Sequence, residues 1–211
     1  MPLFKSIFNR IARVSTLLVL LGVISMNIGF LDVKAQSKST EEDRRNARVQ
    51  ATYITRLVKF IRWEWNSNNE EESFKIVVLG NENLGFVKSL NFLVEQSNLS
   101  ADGHPVEVFH FTNAKMEEAL AFIKTGVHFI YFTQDCKYNM ADIVPFRQGA
   151  LYISEGRDFV VIDKGCIAFE RTRNRIKLVV NETCFRRKFA KVNPVLTSLK
   201  SVVEVVRPNN G

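Results

Sequence analysis

Four short apolar runs, each set off from the next by a stretch of helical periodicity, limit what this chain can fold into more than any other feature. The runs are Phe74–Leu79, Val106–Phe111, Val127–Phe132 and Leu151–Ile153. Each has the length of a buried strand rather than of a helix. Between them, Asn83 to Gln96 carries Leu84, Val87, Leu90, Phe92, Leu93 and Val94 in a helical pattern, and Ala114 to Lys124 carries Met116, Ala119, Leu120 and Ile123. Met140 to Arg147 reads as a third, shorter helix that Pro145 weakens. Strands joined through helices run parallel, because a parallel pair needs a long crossover, and a parallel sheet must be covered on both faces. The fold class expected is therefore α/β, a mostly parallel sheet flanked by helices on both faces.

The flanking segments complete the domain. A hydroxyl-then-carboxylate pattern at Ser39-Thr40-Glu41-Glu42-Asp43 reads as a helix start. Ala47, Ala51, Ile54, Leu57, Val58 and Ile61 then recur along one stripe, so a long amphipathic helix is expected to end near Trp63-Glu64-Trp65. Downstream, Cys166–Glu170 and Arg175–Val180 flank Arg171-Thr172-Arg173-Asn174, which predicts a C-terminal β-hairpin. Glu182 to Lys188 is expected as a short helix, and Pro194 to Val205 as a terminal one with Val195, Leu196, Leu199, Val202 and Val203 as its apolar stripe. The domain is bounded at 47–206, after a linker and helix start at 36–46 and before a tail at 207–211.

Residues 1–35 have a different character. Lys5, Arg10 and Arg13 precede the apolar run from Val14 to Ile24, and Val33 and Ala35 sit where a cleavage site wants small residues. This is the plan of a signal peptide, with cleavage expected after Ala35 and a periplasmic product. The alternative is an uncleaved membrane anchor reaching Leu31, interrupted by Asn27. Either way the domain is expected outside the cytoplasm. The formal charge of +7 is partly a property of this leader. From Gln36 onward 25 basic residues oppose 21 acidic ones, spread without a basic tract, so nucleic acid is not an expected partner.

The chemistry-bearing residues are sparse. Gly80-Asn81-Glu82-Asn83-Leu84-Gly85 follows a strand and opens a helix, the place of a phosphate loop. Such a loop needs Lys and Ser/Thr directly after the second glycine, and Phe86-Val87 intervene before Lys88-Ser89. The turn nonetheless lies at a strand's carboxyl end, where small ligands often bind, so Gly80, Asn81, Asn83, Gly85 and Thr133 are the candidate ligand cleft. His104, His110 and His128 have no neighbours at metal spacing, and neither a nucleophile elbow nor a zinc-helix motif occurs. His128 reads as a hydrogen-bonded core histidine. No metal, cofactor or catalytic residue is expected, and a hydrolase is the least supported class.

Three cysteines permit one bridge and leave one over. A turn centred on Thr172-Arg173 sets Cys166 against Val179, so Cys166–Cys184, Cys136–Cys166 and three free thiols all remain open. Arg171, Arg173 and Arg175, with Arg186, Arg187 and Lys188, form the densest basic stretch; it is surface charge or a contact for an acidic partner. Trp63 and Trp65 are candidate interface anchors, with core packing as the alternative.

In order and spacing these pieces resemble one family. Tyr53, Arg56-Leu57-Val58-Lys59-Phe60-Ile61-Arg62-Trp63 looks like the opening helix of YfiR-like proteins, and Phe74–Gly80 with Leu84-Gly85 like their first strand and turn. His128–Phe132 resembles the family's apolar strand, and Ile167-Ala168-Phe169 through Ile176–Asn181 its hairpin. Val192–Leu199 sits where the family has its last apolar motif. Trp63 is followed by Glu64-Trp65 instead of Pro, and Cys166 replaces an aliphatic residue. The resemblance implies a non-enzymatic periplasmic regulator that binds the extracytoplasmic part of a membrane signalling protein: a diguanylate cyclase, sensor kinase or receptor. Trp63 and Trp65 are the expected partner-binding residues on a surface formed by the first and terminal helices, and Arg173 is a further one at the hairpin tip. A homodimer is compatible with this reading, and membrane contact comes only through the partner or an uncleaved anchor. A periplasmic ligand-binding domain is the alternative.

Overall fold

In the computed structural model the described residues are 40–64, 72–138, 140–143, 149–173, 175–186 and 190–207. The expected signal peptide, Trp65, Pro145, Arg187, Lys188 and the tail from 208 lie outside them. The chain divides after Asp43, and the unit from Arg44 onward holds the fold. It is α/β, with a mostly parallel central sheet.

Helix α1 covers 40–60. Its predicted stripe is the buried one: Ala47, Ala51, Ile54, Leu57 and Val58 are each at most 3 % exposed. The helix ends earlier than its periodicity suggests. Ile61–Trp63 leaves it as a strand, β1, and pairs antiparallel with β9, Ala190–Val192. That pairing uses backbone groups a helix would have kept to itself, so a long-range partner overrides the local pattern.

Among the described residues the main sheet has eight strands. They are β2 (Phe74–Leu79), β3 (Ser100–Ala101), β4 (His104–Phe111), β5 (Phe129–Phe132), β6 (Leu151–Glu155), β7 (Ile167–Thr172), β8 (Arg175–Asn181) and β10 (Val203–Val206). Their order is β10-β8-β7-β6-β5-β2-β4-β3. From β4 through β7 all neighbours are parallel. The four runs read from the sequence are four of these strands. The helices are α2 (Phe86–Gln96), α3 (Met116–Ile123) after a 3-10 turn, α4 (Met140–Ile143), α5 (Asp158–Val161) and α6 (Pro194–Ser198).

Register and ring contacts assign the layers. Tyr131 meets Phe86 of α2 at 4.3 Å, and Phe169 meets Tyr53 of α1 at 6.1 Å, so α1 and α2 share one face. Phe109 meets Phe122 of α3 at 4.3 Å, and Phe132 meets Phe159 of α5 at 5.8 Å, on the opposite face. Because successive strand residues alternate, Phe132 and Tyr131 must point to opposite sides. The aromatic content is thus spent on two helix–sheet interfaces.

Two expectations fail in the last third. The hairpin β7–β8 is closed by Thr172 opposite Arg175, so Ile167 faces Val180 and the register is two residues from the expected one. A slip of two leaves every side chain on the same face, so hydrophobic pattern cannot detect it. The expected terminal helix stops at Ser198. Val203–Val206 is strand β10, parallel to β8 and at the sheet edge. A run of four valines among five residues, Val202 to Val206, favours a strand once an open edge is offered.

Candidate functional site

The order of the parallel strands places the first opening of the sheet. Strand β2 is followed in sequence by β4 on one side and then by β5 on the other, so the doubly wound sheet reverses direction between β2 and β5. Ligands favour the carboxyl ends of strands at such a point. Here those ends are Gly80 and Thr133, two of the residues singled out from sequence.

The protein's own contacts close this switch point. Thr133 N donates to Leu79 O at 3.0 Å, Gly80 N to Phe111 O at 2.9 Å, and His110 Nε2 to Gly80 O at 2.8 Å. Asn113 N reaches Asn81 Oδ1 at 3.3 Å, while Asn113 Nδ2 donates to Asp135 O at 2.8 Å. Gly80 has φ +106°, and a β-carbon there would lie 2.2 Å from Thr133 Oγ1 and 2.7 Å from Cys136 Cα. Only glycine lets the two loops approach this closely. Gly80, Asn81 and Thr133 therefore converge, but on each other. Asn83 is exposed, and Gly85 serves as the left-handed entry to α2. The expected cleft of five residues is not formed.

An open cleft of about 660 Å³ lies one strand along, outside the ends of β5 and β6. Thr133 lines it, with Cys136, Tyr138, Ser154, Phe159 and Asp163. Its polar groups are mostly engaged: Tyr138 OH donates to Thr112 O at 2.6 Å and Ser154 Oγ to Phe132 O at 3.0 Å. Burial pushes the Cys136 thiol up to about 11, against a small opposing effect of its contact with the Tyr138 carbonyl. The thiol is therefore protonated at neutral pH and is a poor nucleophile. Tyr138, Ser154, Phe159 and Asp163 were not singled out from sequence. They come from the loop after β5, from β6, from α5 and from the turn after it, and only the strand ends hint at their meeting.

A second opening lies on the α1 face near the sheet edge. It is an apolar groove of about 410 Å³ between α1 and the C-terminal segment. Leu57 and Phe60 form one wall, Leu196 and Leu199 the other, and Leu178 of β8 with Val203 of β10 the floor. Arg56 and Lys59 stand at its rim, both exposed. The surface expected from α1 and a terminal helix exists in part, although α6 and β10 replace that helix.

The expected partner-binding residues fare differently. Trp63 is 8 % exposed, with its ring 5.4 Å from Phe74, 5.1 Å from His128 and 5.9 Å from Phe129. It is a core residue and has no exposed indole to anchor a partner. Arg173 is exposed at the hairpin turn. Its neighbour Arg171 is drawn to Glu155 at 3.5 Å, and Arg157 bridges Glu204 at 2.6 Å and Glu170 at 3.8 Å. The basic stretch is thus partly tied into the fold.

Cys166 and Cys184 form a disulfide with Cα atoms 5.4 Å apart, and Cys136 is free. The true hairpin register accounts for the pairing. Cys166 lies opposite Asn181, whose N–H it accepts at 2.9 Å, and the 3-10 turn Glu182–Arg186 swings Cys184 back across it. Among the described residues no group of three or more His, Cys, Asp or Glu could hold a metal ion, and no helix is long and apolar enough to cross a membrane.

Comparison with known proteins adds one match: the family model described as YfiR/HmsC-like (DUF4154) matches residues 47–200. No curated protein matches the chain.

Proposed function

The chain belongs to the YfiR/HmsC-like family, whose members are periplasmic, non-catalytic regulators, and from that premise we propose that it controls a membrane signalling protein by binding its extracytoplasmic part. The partner is a diguanylate cyclase, a sensor kinase or a receptor, and the domain reaches it after export by the N-terminal signal peptide. The carrying observation is the match at 47–200, which takes in most of α1, the parallel strands from β2 to β7 and the hairpin. The chemistry of the strand-end cleft supports binding over reaction. Its thiol stays protonated, and the Tyr138 and Ser154 hydroxyls are committed to backbone carbonyls.

Regulation of this kind needs differential affinity for two states of the partner. The test is capture of membrane proteins on the immobilised full chain, together with cyclic di-GMP and kinase output in cells lacking the gene. Capture of a membrane protein whose output rises on deletion is expected. A chain that retains no membrane protein, with all outputs unchanged on deletion, overturns the proposal.

The second reading, a periplasmic ligand-binding domain, is favoured by the cleft of about 660 Å³, a volume in the range of small-molecule sites. Its test is thermal shift against a broad metabolite set, because a ligand of the native state raises the melting temperature with concentration. A flat response removes it.

A further inference from the structure

The α1 face of the sheet is too wide for the described helices that cover it. Eight strands at about 4.8 Å spacing span roughly 34 Å, and packed helices stand about 10 Å apart, so a full cover takes about three helices. Helices α2 and α1 fill two positions. The third lies over β8 and β10, where α6 is only five residues long. The apolar groove is what remains open there.

The apolar surface continues beyond the groove. Leu199 is 39 % exposed and Val195 52 %, and Val205, on the same face as Val203, is 40 % exposed. Arg56 and Lys59 at the rim form no ion pair with any described residue, and the groove's described lining holds no carboxylate. A second copy docking here about a two-fold axis would set these cations against their own images, which is unfavourable. The surface calls instead for an apolar ridge flanked by acids.

We infer that this groove receives an amphipathic helix of a partner protein, with apolar anchors facing Leu178, Leu199 and Val203 and carboxylates facing Arg56 and Lys59. The inference rests on the regulator reading and names the contact through which that reading works. A helix fits because its anchors at i, i+3, i+4 and i+7 form a ridge of the right kind for a groove beside α1. Its acids would meet the rim cations and steer the encounter, so the contact is sensitive to salt.

The experiment places p-benzoylphenylalanine at Leu199 of the full chain and, as a control, at Ile162, which is 66 % exposed beside α5. Irradiation with membranes and mass spectrometry then identify the attached segment. Expected is a Leu199 adduct on an extracytoplasmic segment whose apolar residues are flanked by Asp or Glu, with none from Ile162. The double variant Arg56→Glu/Lys59→Glu should weaken capture roughly tenfold at low ionic strength, less as salt is added, and keep the melting temperature because both residues are exposed. An adduct confined to a second copy of this chain or to lipid overturns the inference, as does capture unchanged by charge reversal. If the chain captures a membrane protein without a Leu199 adduct, the groove alone is refuted. If the chain captures none, the regulator reading fails first.

Discussion

Acidification should cost this domain stability through one identifiable ring. His128 lies between Phe74, stacked on it at 4.5 Å, and Trp63, edge-on at 5.1 Å. Its Nδ1 accepts the Lys75 N–H at 3.0 Å. Burial first, then the charges of Lys75 and His104, lower its pKa from 6.5 to about 4. The folded ring is neutral where the unfolded one already binds a proton. The contribution is therefore complete above pH 6.5 and is lost as pH falls from 6.5 towards 4. At about 1.4 kcal/mol for each tenfold, the full loss is about 3.5 kcal/mol, and at about pH 4.5 it is already about 2.5 kcal/mol. Protonating Nδ1 also turns an acceptor into a donor aimed at the Lys75 N–H. The assay is urea unfolding at about pH 7.5 and 4.5 for the native chain and for His128→Asn, whose amide oxygen can replace Nδ1 as acceptor. Carboxylates that titrate in this interval affect both proteins alike. The native chain should lose about 2.5 kcal/mol more than the variant. Equal losses, or an NMR titration placing the His128 pKa in the folded chain at about 6 or above, would refute the reasoning.

Gly80→Ala should destabilise by about 3 kcal/mol, since it combines a positive φ with overlap against the Cys136 backbone, whereas Gly103→Ala, at φ +95° in open space, should cost about 1 kcal/mol; denaturant midpoints compare them. Cys166→Ala should cost about 3 kcal/mol, the loop-closure value for a separation of 18 residues, and native chain assayed with reductant should show the same loss. Alkylation in denaturant should mark one thiol without reductant and three with it. Arg157→Ala removes the ties to Glu204 and Glu170, but these groups are 29–41 % exposed, so a loss of at most about 1 kcal/mol is expected in the same assay.

Local pattern carried the parallel sheet. Phe74–Leu79 and Phe129–Phe132 are buried on both faces and read as unbroken apolar runs, and α1's stripe is set by 3.6-residue spacing alone. The hairpin of the C-terminal third was legible too, but β9 and β10 were not, nor was β1, and for a different reason. Strands β1, β9 and β10 owe their conformation to partners far away in sequence: Trp63 pairs with Ala190, and Val203 with Leu178. Helical spacing of Val195, Leu196, Leu199, Val202 and Val203 was real, but an edge strand offering unpaired backbone groups outweighed it. The hairpin register escaped because a two-residue slip preserves facing, and without it Cys166–Cys184 stayed one of several open pairings. The strand-end cleft was misplaced by one strand, since nothing local tells that Gly80 packs against Thr133 and Cys136 tightly enough to close the switch point.

The two openings therefore stand on different footings. The strand-end cleft belongs to the parallel part of the sheet, where each strand is held by neighbours on both sides and the walls are fixed by the same packing that makes the core. The groove belongs to the edge. Among the described strands its floor strand β10 pairs only with β8, and Leu196 and Leu199 reach it from a short helix and a turn. Edge strands and short helices open locally at low free energy. A partner helix docking there adds apolar contacts where the fold has fewest, so its binding should order the C-terminal segment while leaving the parallel strands as they are. Hydrogen exchange would read this directly: with partner bound, protection should rise at Val202–Val206 and not at Phe129–Phe132. A uniform rise across both strands would mean that the partner stabilises the domain as a whole, and that the edge has no special part in recognition.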